Sequence, residues 1–271
     1  MAYATVNGVR LYCELEGTHG LPVVLVHGSW DSLHDWDAIV PALAKSFRVL
    51  RYDRRGHSQS ERPTAQGSIR EDVADLAALI EHFRLAPAWV IANSFGGSIS
   101  LRTAGAHSGQ FCGLIAHEPP LFGLLADDPV IAPLLADVKE KINAVVDRIA
   151  SGDHAGATEQ FVETVALGPG MWAKIPREGQ EVMIENAPTF LDEARDPEQV
   201  AFDLAWIRGF SRPTLLTMGN ESPPFFAPVI SKLAGALPQI KVVTIKGAGH
   251  VPHVTHPEAY VAEIEAFIRD A

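Results

Sequence analysis

The stretch that decides the fold is Trp89-Val90-Ile91-Ala92-Asn93-Ser94-Phe95-Gly96-Gly97, a short apolar run followed directly by a serine and two glycines. Four consecutive apolar residues are typical of a strand that is buried on both faces of a parallel sheet. Small residues stand two positions before and two positions after Ser94, as a sharp strand-to-helix turn requires. Such a turn exposes a serine hydroxyl, so we predict that Ser94 is a nucleophile rather than a helix cap.

Strand and helix patterns alternate on both sides of this turn. Asn7-Gly8 predicts a β-hairpin between residues 2–6 and 9–15. Alternation of strands and helices predicts parallel strands joined by right-handed crossovers, which is an α/β fold. The other predicted elements are strands at 23–26, 47–52, 111–116, 213–218 and 242–246, and helices at 36–45, 68–83, 228–236 and 257–271.

Strand patterns disappear between residues 121 and 210, and helical patterns replace them at 136–149, 155–165 and 198–207. We therefore predict an α/β core made of residues 1–120 and 211–271, interrupted by a helical insertion at 121–210. The sheet of the core is expected to be mostly parallel and flanked by helices.

Two glycine-containing loops supply the other groups that acyl transfer requires. Negative charge that develops on a carbonyl oxygen needs preorganised donors, and we predict that these are the backbone N–H groups of Ser29 and Phe95. The loop Gly247-Ala248-Gly249-His250 follows the last strand, and His250 is the predicted general base. His27, beside Ser29, is expected to hold its loop by a hydrogen bond.

His253 and His256 follow the predicted base closely, which raises the question of a metal site. The carboxylate or cysteine spacing of such a site is missing around them, so we assign them to support of the terminal helix. No metal and no other cofactor are expected.

The strand order, the His27-Gly28-Ser29-Trp30 loop, the Asp53-Arg54-Arg55-Gly56-His57 turn, the serine turn and the late Gly-x-Gly-His together resemble the α/β-hydrolase superfamily. The resemblance covers nearly the whole chain, and the helical insertion matches the cap domain of that family. It implies a Ser–His–acid triad whose acid is usually an aspartate three residues after the glycine that closes the penultimate strand. That position here holds Ser222, which cannot act as the acid.

Two substitutes for the missing aspartate remain, Glu118 and Glu221. The sequence His117-Glu118-Pro119-Pro120 is similar to the pattern of zearalenone lactonases, which take their acid from the strand after the nucleophile. This resemblance favours Glu118 over Glu221. The order Ser94, Glu118, His250 also matches the order of nucleophile, acid and base that is expected of this fold.

The predicted activity is hydrolysis of a hydrophobic carboxylic ester or lactone through an acyl-enzyme on Ser94. Trp30, Trp172 and Trp206 are the predicted substrate-binding residues. Three alternatives remain: carbon–carbon bond hydrolysis, cofactor-free oxygenation or perhydrolysis, and a non-catalytic ligand-binding relative. The late aspartate expected of carbon–carbon hydrolases is missing, and an intact Ser94 and His250 argue against loss of catalysis.

The composition restricts the partners and the location. The chain has 271 residues, with 33 Asp and Glu against 22 Lys and Arg and a formal net charge of −11. Without a basic cluster we expect no nucleic-acid partner. Neither a signal-peptide pattern nor a bilayer-length apolar run is visible, so we expect a cytoplasmic enzyme without membrane attachment. A homodimer is compatible with the sequence.

Overall fold

A computed structural model describes residues 2–199, 201–237 and 239–271 and contains an eight-stranded sheet. The order of its strands is β1-β2-β4-β3-β5-β6-β7-β8, in which β1–β2 and β2–β4 are antiparallel and the other pairs are parallel. The predicted hairpin and the mostly parallel sheet are therefore confirmed. The strands are β1 (Ala2–Val6), β2 (Val9–Glu16), β3 (Leu21–Val26), β4 (Phe47–Tyr52), β5 (Ala88–Asn93), β6 (Phe111–His117), β7 (Thr214–Gly219) and β8 (Ile240–Ile245).

Helices cover both faces of the sheet, as an apolar parallel sheet demands. One apolar cluster joins the sheet to α2, α3 and α7, and a second joins the other face to α1 and α9. The helices are α1 (Val40–Leu43), α2 (Ile69–His82), α3 (Phe95–Ala106), α4 (Ala132–Ala150), α5 (His154–Phe161), α6 (Arg177–Arg195), α7 (Phe226–Ala236), α8 (Pro252–Thr255) and α9 (Pro257–Asp270). None of the described helices combines the length and the apolar character that crossing a bilayer requires.

The connection between β6 and β7 holds α4, α5 and α6, and no strand is described within it. The predicted helix at 155–165 is present as α5, which continues directly as a π-helix over Val162–Ala166. The limits of the insertion at residues 121 and 210 stay a prediction.

The predicted helix at 36–45 is wrong. The structure instead has a short 3₁₀ helix at Leu33–Trp36, followed by the four-residue α1. Pro41 explains the break, because a proline has no N–H to donate and fits a helix only within its first turn. Pro41 lies in the first turn of α1, so the helix begins beside it.

The predicted helix at 198–207 is also wrong. Only Leu204–Trp206 forms a helical turn, of the 3₁₀ type, and Val200 lies outside the described residues. The buried Arg102 explains the difference, since its guanidinium donates to the main-chain carbonyls of residues 198, 199 and 201 at 3.2, 3.1 and 2.7 Å. Those carbonyls accept from an arginine instead of from the N–H groups of a following helical turn.

Candidate active site

Ser94 lies on the sharp turn between β5 and α3, as the sequence predicts. Its backbone has φ 52° and ψ −124°, a conformation that costs a non-glycine residue about 1 to 3 kcal/mol. The turn is held by its N–H, which donates to the carbonyl of His117 at 2.8 Å. Gly96 permits the close approach of β3, because a Cβ there would lie 2.3 Å from the carbonyl oxygen of Val26. The sheet therefore presents the serine at the carboxyl ends of its parallel strands.

Glu118 follows β6 directly and is fully buried. One carboxylate oxygen accepts from the N–H of Gly219 at 2.8 Å, and the other lies 2.6 Å from Nδ1 of His250. Burial alone raises the pKa of the Glu118 carboxyl, but the nearby His117 and His250 outweigh burial and hold the pKa well below its usual value. The group is therefore a carboxylate at neutral pH, and the imidazole Nδ1–H donates to it.

The ring of His250 is fixed on its other sides as well. It stacks on Phe226 with the ring centroids 4.4 Å apart and the planes 12° from parallel. Its main-chain carbonyl accepts from the side-chain amide of Asn93 at 2.9 Å, which ties the histidine loop to the residue before Ser94. With Nδ1 bound to Glu118, Nε2 is the nitrogen available to a substrate or to Ser94.

Ser94 and His250 line the same cavity. Within the described part of the chain, no hydrogen bond joins the serine hydroxyl to the imidazole. Such contacts are often long in unliganded enzymes and tighten when the substrate binds.

The alternative acid, Glu221, is exposed, and only its main-chain N–H takes part in the loop, donating to the carbonyl of Ala248 at 2.9 Å. Ser222, at the position where most relatives are expected to have an aspartate, has a buried hydroxyl for which the described residues offer no partner. The geometry therefore places Glu118, and not Glu221, on the imidazole of His250.

His117, Glu118 and His250 form a buried group whose ligand atoms lie within 4.8 Å of one another. A zinc ion bound to two such atoms at about 2.0 to 2.2 Å would separate them by roughly 3.3 Å in tetrahedral geometry. The 2.6 Å between Glu118 and His250 is instead the length of a charge-assisted hydrogen bond. His253 contacts Asp35 through Nε2 at 2.6 Å. That the protein works without a metal stays a prediction.

The loop after β3 brings Ser29 to the cavity wall, whereas Phe95 follows Ser94 as the first residue of α3 and is not among the residues that line the cavity. Among the described residues, neither the N–H of Ser29 nor that of Phe95 has an intramolecular acceptor. His27 orders this loop through both ring nitrogens, which contact the carbonyl of Gly28 at 2.8 Å and the N–H of Arg54 at 2.9 Å. Burial, reinforced by the Arg54 charge, lowers the pKa of His27 to about 3 and keeps its ring neutral.

A buried carboxylate from the helical insertion also reaches this loop, and no sequence pattern predicts it. Glu193 of α6 accepts from the hydroxyl of Ser29 at 2.5 Å and from the guanidinium of Arg54 at 2.8 Å. Arg54 is almost fully buried and also pairs with Asp72 at 3.1 Å. Because a lone buried charge is costly, this network fixes α6 on the core.

The cavity beside Ser94 has a volume of about 720 Å³, within the range of small-molecule sites. The insertion forms an apolar wall from Phe161, Val162, Leu167, Met171, Ile175, Val182 and Met183. The opposite wall, from the core, is polar and carries Ser29, Asp31, Ser32, His34, Asp35, Asp37 and Asn93.

The three predicted substrate-binding tryptophans do not line this cavity. Trp30 is fully buried and packs on Phe161 and Phe190 with ring centroids 4.9 and 4.8 Å apart. Trp206 is 52% exposed and borders a separate groove beside α2 and α3. The main-chain N–H of Trp172 donates to Glu163, and its side chain is absent from the cavity wall. An aromatic residue in the right segment does not reveal which way it points.

Comparison with known proteins identifies the family of the chain. Residues 22–257 match the family of the alpha/beta hydrolase fold, and the chain belongs to that family.

Three relatives illustrate the likeness. The chain is 39% identical over 103 residues to the dihydrolipoyllysine-residue acetyltransferase component of the acetoin cleaving system of Pseudomonas putida, a match over 38% of this chain and 28% of that protein. The chain thus spans about a third or less of the curated relatives it matches. The enol-lactonase from Burkholderia xenovorans LB400 superposes with a TM-score of 0.79 at 20% identity, over 99% of this chain and 100% of that one. A thermophilic esterase from Thermogutta terrifontis superposes with a TM-score of 0.77 at 24% identity, over 99% of this chain and 96% of that one.

Proposed function

We propose that this protein is a serine hydrolase that cleaves a neutral, hydrophobic carboxylic ester or lactone. One observation carries the proposal: a buried carboxylate, Glu118, holds His250 by a 2.6 Å hydrogen bond at the wall of the cavity that contains Ser94. Esterase and lactonase neighbours of the same fold support this choice of reaction.

In the first half of the proposed reaction, the hydroxyl oxygen of Ser94 attacks the carbonyl carbon and its proton passes to Nε2 of His250. Glu118 holds the imidazole in the required tautomer and stabilises the imidazolium that forms. The N–H groups of Ser29 and Phe95 receive the negative oxygen.

The alcohol then leaves with the proton from His250, and the acyl group stays on Ser94. In the second half, His250 takes a proton from a water molecule that attacks the acyl-enzyme. The acid product leaves, and the hydroxyl of Ser94 regains its proton.

The walls of the cavity support the choice of substrate. The insertion offers an apolar surface for an acyl or alcohol group, and burial of that group drives binding. Even without Asp31, whose pKa burial raises well above its usual value, acids outnumber amines among the described lining residues, where Asp35, Asp37 and Glu178 face Lys174. A substrate that carries a carboxylate would be repelled, so we propose a neutral substrate.

The nucleophile is tested with a fluorophosphonate probe and with hydrolysis of p-nitrophenyl butyrate. Wild-type protein should be labelled at one serine, and Ser94→Ala should abolish both labelling and turnover. The matched control is Ser100→Ala on the same helix, because the hydroxyl of Ser100 is buried and has no described partner. Undiminished turnover by Ser94→Ala would refute the proposal.

The substrate class is tested with neutral p-nitrophenyl esters of increasing chain length, neutral lactones, and an ester with a free carboxylate on its acyl chain. We expect kcat/KM for the anionic ester to be at least about 10-fold below that of its neutral isostere, which corresponds to about 1.4 kcal/mol of repulsion. Equal rates would contradict the assignment of a neutral substrate, although they would leave the role of Ser94 intact.

A further inference from the structure

Asp31 lies on the cavity wall two residues after the oxyanion donor Ser29. The surroundings of Gly28 show how close Asp31 comes to Ser94. A Cβ at Gly28 would lie 2.9 Å from a carboxyl oxygen of Asp31 and 3.1 Å from Cβ of Ser94, so the two side chains flank the same point. Asp31 thus borders the space in which a carbonyl attacked by Ser94 must sit.

The carboxyl of Asp31 differs from those of Glu193 and Asp35 because it forms no ion pair among the described residues, and the hydrogen bond that it accepts comes from the main chain of Gly28. Glu193 is paired with Arg54, and Asp35 contacts His253. The main chain of Asp31 is nevertheless fixed, since its carbonyl accepts from the side-chain amide of Asn186 at 2.9 Å. The loop is held in place, and no cationic side chain among the described residues pairs with the carboxyl group.

An ionised carboxylate at this position would oppose the reaction, because it would repel the negative oxygen that forms beside Ser94. The surroundings favour the neutral acid instead. Burial raises the pKa of Asp31 well above its usual value, the charge of Asp35 raises it further, and the charge of Arg54 only partly offsets them. A neutral carboxyl group has an O–H to donate, which a carboxylate lacks.

We propose that Asp31 is a further catalytic residue, a neutral carboxylic acid that donates a hydrogen bond to the oxygen that becomes negatively charged when Ser94 attacks. This inference rests on the proposed function. The hydrogen bond stabilises the charge without proton transfer, and the proton stays on Asp31 throughout. The donor supplements the N–H groups of Ser29 and Phe95, which bind the same oxygen.

Several charged or titratable groups surround this site and enter its pH dependence. They come from the loop after β3, the turn after β4, the histidine loop and the insertion. They are His34, Asp35, Asp37, Arg54, Lys174, Glu178, Glu193 and His250.

Two substitutions of Asp31 distinguish the loss of its hydrogen-bond donor from the loss of its ionisable group. Asp31→Ala removes the donor, and kcat should fall on the order of 10²-fold with KM little changed, since the contact exists only in the transition state. Asp31→Asn keeps an N–H donor of similar shape, and kcat at pH 7 should stay within about 10-fold of wild type. In wild type, activity should decline on the alkaline side as Asp31 ionises, and Asp31→Asn should lack that decline.

The control is Asp137→Asn, which makes the same replacement of a carboxyl by an amide at an exposed position of α4 outside the cavity lining, and should leave the profile unchanged. Thermal unfolding verifies that each variant is folded. Asp31→Ala with wild-type kcat would overturn the inference, and so would an Asp31→Asn variant as slow as Asp31→Ala. If the fluorophosphonate fails to label Ser94 in wild type, the proposed function fails first, so the two failures are distinguishable.

Discussion

Replacement of Glu118 by glutamine tests how the carboxylate controls the base. Glu118 accepts two hydrogen bonds, from Gly219 at 2.8 Å and from His250 at 2.6 Å. A glutamine accepts with only one of its two terminal atoms, so one of these donors must face an NH₂ group. If the NH₂ faces His250, the imidazole moves its proton to Nε2 and can no longer accept from Ser94.

The expected loss follows from these two contacts. A wrong tautomer together with loss of the negative charge costs on the order of 10⁴-fold in kcat in the known triad case. That factor corresponds to about 5 kcal/mol of barrier. If the amide turns the other way, the partly buried N–H of Gly219 loses its acceptor, and stability falls by about 1 kcal/mol. Either outcome is measurable.

The assay is steady-state hydrolysis of p-nitrophenyl butyrate, accompanied by urea unfolding. Glu221→Gln is the matched control, because Glu221 is exposed and its side chain contacts neither Ser94 nor His250 in the described structure. Glu118→Gln should lose at least about 10³-fold in kcat, whereas Glu221→Gln should remain close to wild type. A Glu118→Gln variant with normal kcat and normal stability, or a collapse of Glu221→Gln alone, would refute the reasoning.

Two other substitutions test the supports of the site. Gly96→Ala places a Cβ 2.3 Å from the carbonyl oxygen of Val26, so the turn must shift. Labelling of Ser94 by a fluorophosphonate should therefore slow by more than 10-fold. Labelling at the normal rate would show that the close contact is not needed. Glu193→Ala leaves the charge of Arg54 with less compensation and should lower the free energy of unfolding by about 3 kcal/mol in urea titrations, whereas the exposed Glu181→Ala should change it by less than about 1 kcal/mol.

The nucleophile turn was predictable because its signal is local. An apolar run, a serine and small flanking residues occupy consecutive positions, and all six residues of β5 are buried as the pattern indicates. Glu118 was harder, because acids at two positions satisfied the same chemistry. Only the sheet register brings the end of β6 beside the histidine loop, and no local pattern encodes that distance.

Helix α6 was missed for a physical reason. Its side chains that face the core are largely polar, since Asn186, Thr189 and Glu193 are buried by hydrogen bonds to core groups. Pro188 also stands inside it. The helix also has an apolar stripe, Met183, Ala187, Phe190 and Leu191, which packs in a cluster with Trp30, but a proline that usually ends helices interrupts the pattern.

Asp31 was not predicted, because the sequence does not show that its loop brings the carboxyl beside Ser94. Its signal was an acid two positions after Ser29, in a loop where an ionised group would oppose the predicted chemistry. The prediction of substrate-binding tryptophans was wrong, because a large apolar side chain suits core packing as well as contact with a substrate.

The attachment of α6 to the core affects how substrates and products reach and leave the cavity. Detaching this helix would separate the buried charges of Arg54 and Glu193, so moving α6 away from Ser94 costs free energy. The π-helical Val162–Ala166 and the segment after it also line the cavity, through apolar side chains. We expect substrates to enter and products to leave at this segment, while α6 stays fixed and acts as a hinge. The motion of the segment would then limit the turnover rate of bulky esters.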